Sequence, residues 1–407
     1  MPALSVWRFG SVVASSRRRA FQWTIVLLAQ LLSTAPLFAA TKDIPSRYVF
    51  PAFAGPNYET SDALLRNVTA AGFDFVRLTI DPGPFLQFTG TKREALDQHL
   101  RGVVERLLGN GFCVIVDFHP NSQVPKYAPE KLVQAVDDPL FIAYAGVIRR
   151  TAHLLAALPT DRVALELMNE PQYGWDPATT ERWQRMLEQA PDLLLVLTGA
   201  RGGDIKGLLA VNPEPFAGSR VLYSFHYYEP HDFTHQGVKS TTPSAWPWRY
   251  ISGLPYPAQS ADADRVWQNI QQNILSDPSI TLPDQRRLTV QQVRERVSTY
   301  IASGFSSRQI ASDFDSVRAW AELHGIDPHS ILLGEFGVTR TYGMYRASDP
   351  ISQEAWMRDV RNEAELHGFR WALWVLSGYG GMSLLERDGS DRLDQVSLRA
   401  LGLNAGL

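Results

Sequence analysis

The sequence predicts a (β/α)8 TIM barrel with an inserted subdomain between strand six and strand seven. Three observations lead there. Eight short apolar runs recur after residue 45, most of them followed by a polar loop and an amphipathic helical pattern. Strands that alternate with helices imply parallel pairing and right-handed crossovers. The chain has 407 residues, room for eight such units with insertions. An open doubly wound sheet would bring a glycine-rich phosphate loop after an early strand, and neither G-x-G-x-x-G nor G-x-x-x-x-G-K-[ST] occurs.

Residues 1–40 read as an export signal. Arg8, Arg17, Arg18 and Arg19 precede the apolar run TIVLLAQLL, which leads into STAPLFAA. That is the order of basic start, short apolar core and small residues near a cut site. The run is short for a membrane span, so no stable span is expected after cleavage. RRRAF resembles a twin-arginine signal. Ser33 and Ala35 fit the small-x-small pattern, whereas a cut after Ala40 puts bulky Phe38 third from the end; an uncleaved anchor is the alternative. The expected location is periplasmic or extracellular, with residues 41–407 forming the barrel domain.

The elements follow in order. Strand one is YVFPAFAG (48–55), the weakest run. The helical pattern DALLRNVTAAG leads into strand two, FDFVRLTI (73–80), with Gly72 where a helix C-cap belongs. REALDQHLRGVVERLLGNG precedes strand three, GFCVIVDFHP (111–120), where Gly111 has the same role. FIAYAGVIRRTAHLLAAL precedes strand four, VALELMNEP (163–171), and strands five and six are LLLVLTGA (193–200) and VLYSFHYYEP (221–230). Strand seven, ILLGEFGV (331–338), begins far beyond Pro230, and the crossover helix FDSVRAWAELHG (314–325) fills only a small part of the gap. Residues 237–310 are therefore read as an insertion above the barrel mouth. Its stretch SAWPWRYISGLPYPAQ offers Trp246, Trp248, Tyr250 and Tyr256, either to line a site or to pack a private core. Strand eight is WALWVLSG (371–378).

Composition narrows the function. The formal net charge is −3 with no long basic block in the body of the chain, which argues against nucleic acid as a partner. Cys113 is the single cysteine, so an intrachain disulfide and a multi-cysteine metal site are both excluded. Within GFCVIVDFH it reads as a buried, inert thiol. A monomer without metal or cofactor is expected.

In this fold, catalytic groups sit at the C-terminal ends of the strands. Strand two offers Arg77 there, strand three His119, strand four Asn169 and Glu170, strand six His226 and Tyr228, strand seven Glu335 and strand eight Trp374. Singly, each has a bland reading as a salt bridge, a satisfied core imidazole, a cap or a packed ring. Packing alone gives no reason to place them all on one rim. Strands four and seven face each other across an eight-stranded barrel, so Glu170 and Glu335 would too. Paired carboxylates flanking a bond are what glycoside hydrolysis needs, ~5–5.5 Å apart in retaining enzymes and ~6.5–9.5 Å in inverting ones.

LMNEP on strand four with GEFG on strand seven resembles glycoside hydrolase family 5, the cellulase family of retaining barrel enzymes. FVRL, DFH, SFHYYEP and WALW look like the family's site motifs in order, and FTHQG resembles members with a subdomain after strand six. The resemblance covers most of the chain after residue 45 and departs at FPAFAGPNYE in strand one. It implies Glu170 as general acid/base and Glu335 as nucleophile. Arg77 and Tyr228 would hold the nucleophile charged and aim it. Asn169 would hold the sugar's 2-hydroxyl, His119 and His226 would orient hydroxyls and carboxylates, and Trp374 would form a stacking floor. Trp175, just after NEPQYG, is a candidate wall on the leaving-group side.

The partner implied is a β-linked polysaccharide or oligosaccharide, with β-1,4-glucan foremost. Mannan, mixed-linkage glucan, β-1,3-glucan and a self-made exopolysaccharide are the alternatives, as are transglycosylation and a sugar-binding barrel that has lost catalysis. A metal-dependent barrel would ask for His-x-His after strand one, and no histidine precedes His99. His231 and His235 have ligand-like spacing but sit in a loop pattern. A serine hydrolase would need a G-x-S-x-G elbow, which is missing.

Overall fold

From Phe75 onward alternate residues of the strands enter the barrel, and the first inward layers are apolar. Phe75, Cys113, Ile115, Ala164, Leu194, Val196, Leu222, Leu332 and Ala372 form one buried cluster inside it. The intervening residues point outward, where a second, larger cluster joins the strands to the helices. Burial on both faces is what turns a parallel strand into a nearly continuous apolar run.

The computed structural model describes residues 47–49, 60–120, 125–172, 176–189, 193–240, 245–342, 346–377, 381–386 and 390–404. The strands are β1 (Arg47–Val49), β2 (Phe75–Ile80), β3 (Cys113–Phe118), β4 (Val163–Glu166), β5 (Leu194–Thr198), β6 (Val221–Tyr227), β7 (Ile331–Phe336) and β8 (Arg370–Leu373). They close in sequence order, every neighbouring pair parallel, with β1 paired to β8. The strands are shorter than the apolar runs. β4 ends at Glu166, yet Leu167 and Met168 beyond it are still buried. The predicted strand-one segment beyond Val49 and the whole of residues 1–40 lie outside the described residues.

The longer helices are α1 (Asp62–Ala71), α2 (Gly90–Gly109), α3 (Pro139–Ala156), α4 (Pro177–Leu187), α5 (Ala263–Leu275), α6 (Pro283–Ser303), α7 (Ser307–Leu323) and α8 (Pro350–Leu366). Their ends follow capping chemistry. Ser61 accepts from the Leu64 amide at the start of α1, and Gly72 ends it at φ +111°. Asp138 and Asp349 cap α3 and α8, each followed by proline at the first helical position. Among the described residues, no helix is long and apolar enough to cross a membrane.

Between β6 and β7 the chain forms a 3-10 turn at Trp246–Tyr250, then α5, α6 and α7. The crossover helix α7 begins at Ser307, seven residues before the predicted 314–325 segment, so its first turn takes over the end of the predicted insertion. Tyr250 and Tyr256 are buried, their hydroxyls donating to Asp277 and Asp359. Both tyrosines therefore serve packing, in a core that is continuous with the barrel's outer one rather than private to the insertion.

Candidate active site

Above the apolar layers the barrel interior turns polar. Arg77, Asp117, Glu166, Thr198 and Ser224, the next inward positions of β2 to β6, are all buried. The Arg77 guanidinium organises them. Its Nε donates to Glu166 Oε2 at 2.6 Å and one Nη to Glu166 Oε1 at 2.8 Å, a bidentate pair. The same Nη reaches Asn169 Oδ1 at 2.7 Å, and the other Nη reaches Glu335 Oε1 at 2.7 Å. Asp117 Oδ2 lies 3.2 Å away. Thr198 donates its hydroxyl to Glu166 at 2.7 Å.

Glu335 is in this cluster because β7 is irregular. Leu333 pairs with Phe225 but Glu335 pairs with His226, so Gly334 is an extra residue on its strand. Leu332 points into the barrel, and without the extra residue Glu335 would point out. Glycine suits the place: a Cβ on residue 334 would stand 2.5 Å from Ser224 Oγ and 3.1 Å from the His226 ring. Tyr228 then donates to Glu335 Oε2 at 2.9 Å, so both oxygens of this nearly buried carboxylate are held. Burial, with Glu335 and Glu170 nearby, pushes the Tyr228 phenol well above its ordinary range and keeps it a neutral donor.

Glu170 stands across from it, with φ +46° and 39 % of its side chain exposed at the bottom of the mouth. Desolvation by the surrounding walls raises its carboxyl above the ordinary glutamate range, against the pull of His119, Arg77 and His231. His226 Nδ1 is 3.0 Å from Glu170 Oε1 and 3.6 Å from Glu335 Oε2. Burial drops that imidazole to about 4, so it is neutral, with Nδ1 facing both carboxylates. One oxygen from each glutamate and a His226 nitrogen lie within 4.8 Å of one another. A small cation could meet these three atoms, but the Arg77 guanidinium already supplies the positive charge beside Glu335.

His119 Nδ1 is 2.9 Å from Asp117 Oδ2, its Nε2 is 3.2 Å from Asn169 Nδ2, and its ring stacks on Trp374 at 5.4 Å and 18°. Burial raises the Asp117 carboxyl to about 7 despite Arg77. On the β6 side, Tyr228 packs edge-on against His235, which lies beside His231 and Trp248. Asp232 accepts from Trp248 Nε1 at 2.9 Å and pairs with Arg296 of α6, tying the insertion to the segment after β6.

The structure thus brings together Arg77, His119, Asn169, Glu170, His226, Tyr228, Glu335 and Trp374. Trp175 lies outside the described residues. Sequence reasoning passed over Asp117 and Glu166, which lie before the ends of the apolar runs in which it sought polar groups. Their signal was a charged residue at an inward position of an apolar run, two residues beyond Ile115 and Ala164 respectively.

Comparison with known proteins identifies the family and the fold. A family model described as cellulase (glycosyl hydrolase family 5) matches residues 39–380. Endoglucanase 3 of Fibrobacter succinogenes is 22 % identical over 372 residues, which cover 86 % of this chain and 50 % of that protein. The chain spans about half the length of the curated relatives it matches. Among solved structures, the Clostridioides difficile cellulose synthase subunit Z superposes with TM-score 0.60 at 20 % identity, over 88 % of this chain and 99 % of that one. Thermotoga maritima Cel5A in complex with cellobiose gives TM-score 0.59 at 18 % identity, over 88 % and 97 %. With the family match spanning most of its length and the barrel behind it, the chain belongs to glycosyl hydrolase family 5, the cellulase family.

Proposed function

We propose that the protein is a retaining glycoside hydrolase of β-linked glucans, acting as an endo-β-1,4-glucanase. The observation that carries the reading is the convergence of Glu170 and Glu335 on His226, within 4.8 Å of one another. Close approach of the two carboxylates suits the direct attack of a retaining enzyme.

In the first step a Glu335 oxygen attacks the anomeric carbon while the bond to the leaving oxygen breaks. Glu170 gives its proton to that oxygen, a role its raised carboxyl suits. Formation of the ester removes the Glu335 charge, which lowers the proton affinity of Glu170 and leaves it a carboxylate. Glu170 then takes a proton from water, the hydroxide oxygen bonds to the anomeric carbon, and Glu335 departs. Asn169 would hold the 2-hydroxyl, a contact that strengthens toward the oxocarbenium-like transition state. Trp374, braced by His119, offers a flat wall for a sugar ring.

Export to the periplasm or medium through residues 1–40 completes the reading, together with 41–407 as one barrel domain carrying the β6–β7 insertion and working as a monomer. Hydrolysis of carboxymethylcellulose, mixed-linkage glucan, β-1,3-glucan and mannan by residues 41–407 tests it, with Glu335→Ala alongside. Activity on a β-1,4-glucan that disappears in the variant is expected. Glu170→Ala should impair polysaccharide far more than aryl glycosides with good leaving groups, which need no proton. Full polysaccharide activity in both variants would overturn the assignment, and activity on mannan alone would replace the substrate.

A further inference from the structure

The valences of four side chains leave only one way to arrange their protons. A guanidinium only donates, so the Asn169 atom 2.7 Å from the Arg77 Nη is the amide oxygen. That turns the amide nitrogen toward His119 Nε2 at 3.2 Å. An amide N–H also only donates, so Nε2 must present its lone pair. Burial pulls the His119 imidazole down and keeps it neutral, so its single proton is on Nδ1. That nitrogen faces Asp117 Oδ2 at 2.9 Å. Each link is forced by the one before, and the chain ends on a fully buried carboxylate.

We propose that Asp117 is a positioning residue: by accepting the Nδ1 proton of His119 it keeps Nε2 an acceptor, which locks the Asn169 amide with its second N–H left for the sugar's 2-hydroxyl. The inference rests on the glycosidase reading above. It does not reduce to a counter-charge for Arg77, whose nearer Nη already serves Glu166 and Asn169 at 2.8 and 2.7 Å. Nor does it depend on the charge of Asp117. Its Oδ1 has no partner among the described residues, so a proton taken up there leaves Oδ2 accepting. With the opposite tautomer, two donors would face each other at the His119–Asn169 contact, and the amide would have to leave Arg77 or His119. The 2-hydroxyl contact tightens in the transition state, so the loss would fall on kcat rather than KM.

Nitrogen-15 NMR of histidine-labelled protein reads the tautomer directly, with His119 assigned through a His119→Gln sample. Wild type should show His119 protonated on Nδ1 and bare on Nε2. Asp117→Val should move the proton to Nε2 and lower kcat about 10–100-fold, the range for losing a carboxylate that orients a functional histidine, with KM changed less than about threefold. Asp117→Asn, whose oxygen can still accept, should keep the Nδ1 tautomer and recover most of that loss. A wild-type His119 protonated on Nε2 overturns the proposal even if Asp117→Val does not fold. So does equal damage in the two variants, or an unchanged kcat in Asp117→Val. Glu335→Ala, run in parallel, separates the two readings: activity surviving there sinks the glycosidase assignment and leaves the tautomer result standing.

Discussion

Arg77 is the residue on which the site turns. Glu166 takes its Nε side as a bidentate pair, Asn169 shares an Nη and Glu335 takes the other, all in a fully buried setting. A lysine has three donors on a point charge and cannot reproduce that fork. Arg77→Lys should therefore leave at least one buried carboxylate unpaired, at a cost of about 3–5 kcal/mol. Both a lower melting temperature and a kcat reduced at least about 100-fold are expected, since Glu335 loses its aim. Calorimetry and steady-state kinetics on one sample would check them together, and an active, equally stable lysine variant would contradict this account of the cluster.

At the level of elements, β7 and β8 meet under a close constraint. Gly337 follows β7, and a Cβ there would press into the backbone carbonyl oxygen of Trp374. A backbone atom cannot swing aside as a side chain can, so Gly337→Ala should cost about 1–3 kcal/mol by overpacking. It should also weaken substrate binding by displacing the Trp374 ring; thermal unfolding and KM measure the two effects, and a silent variant would mean the tips have slack. The strands were legible because burial on both faces writes itself as apolar runs, and most candidate residues because they stand at the ends of those runs. The runs overstate strand length, since Leu167 and Met168 stay buried past the last residue of β4, with only the Leu167 amide still donating to Val196 of β5. The one-residue bulge at Gly334 was not legible, because nothing local distinguishes an extra glycine from a regular one. Tyr250 and Tyr256 were ambiguous for another reason: an aromatic ring serves a core or a ligand equally well.

For the molecule as a whole, the buried histidines make stability depend on pH. His226 is held down to about 4 and His235 to about 3, both from 6.5 and mainly by burial. Below 6.5 the unfolded chain takes up protons that the folded chain refuses, so their contribution is complete above that pH and is lost as it falls toward 4 and 3. Asp117 runs the other way: with its carboxyl raised from 3.8 to about 7, it weakens the fold as pH rises through that interval. Replacing His235 with glutamine should flatten the acid side of a melting-temperature profile between pH 6.5 and 4. Parallel wild-type and variant curves would refute its part in that loss.

The guanidinium at the barrel's centre joins groups from β2, β3, β4 and β7, strands that stand on opposite sides of the ring. It acts as a rivet as much as a reagent holder. Losing it would free Glu335 from Asn169 and Glu166 at once, so the placement of the nucleophile and the link across the ring depend on the same group. The protein's working limit and its structural limit then rest on one side chain.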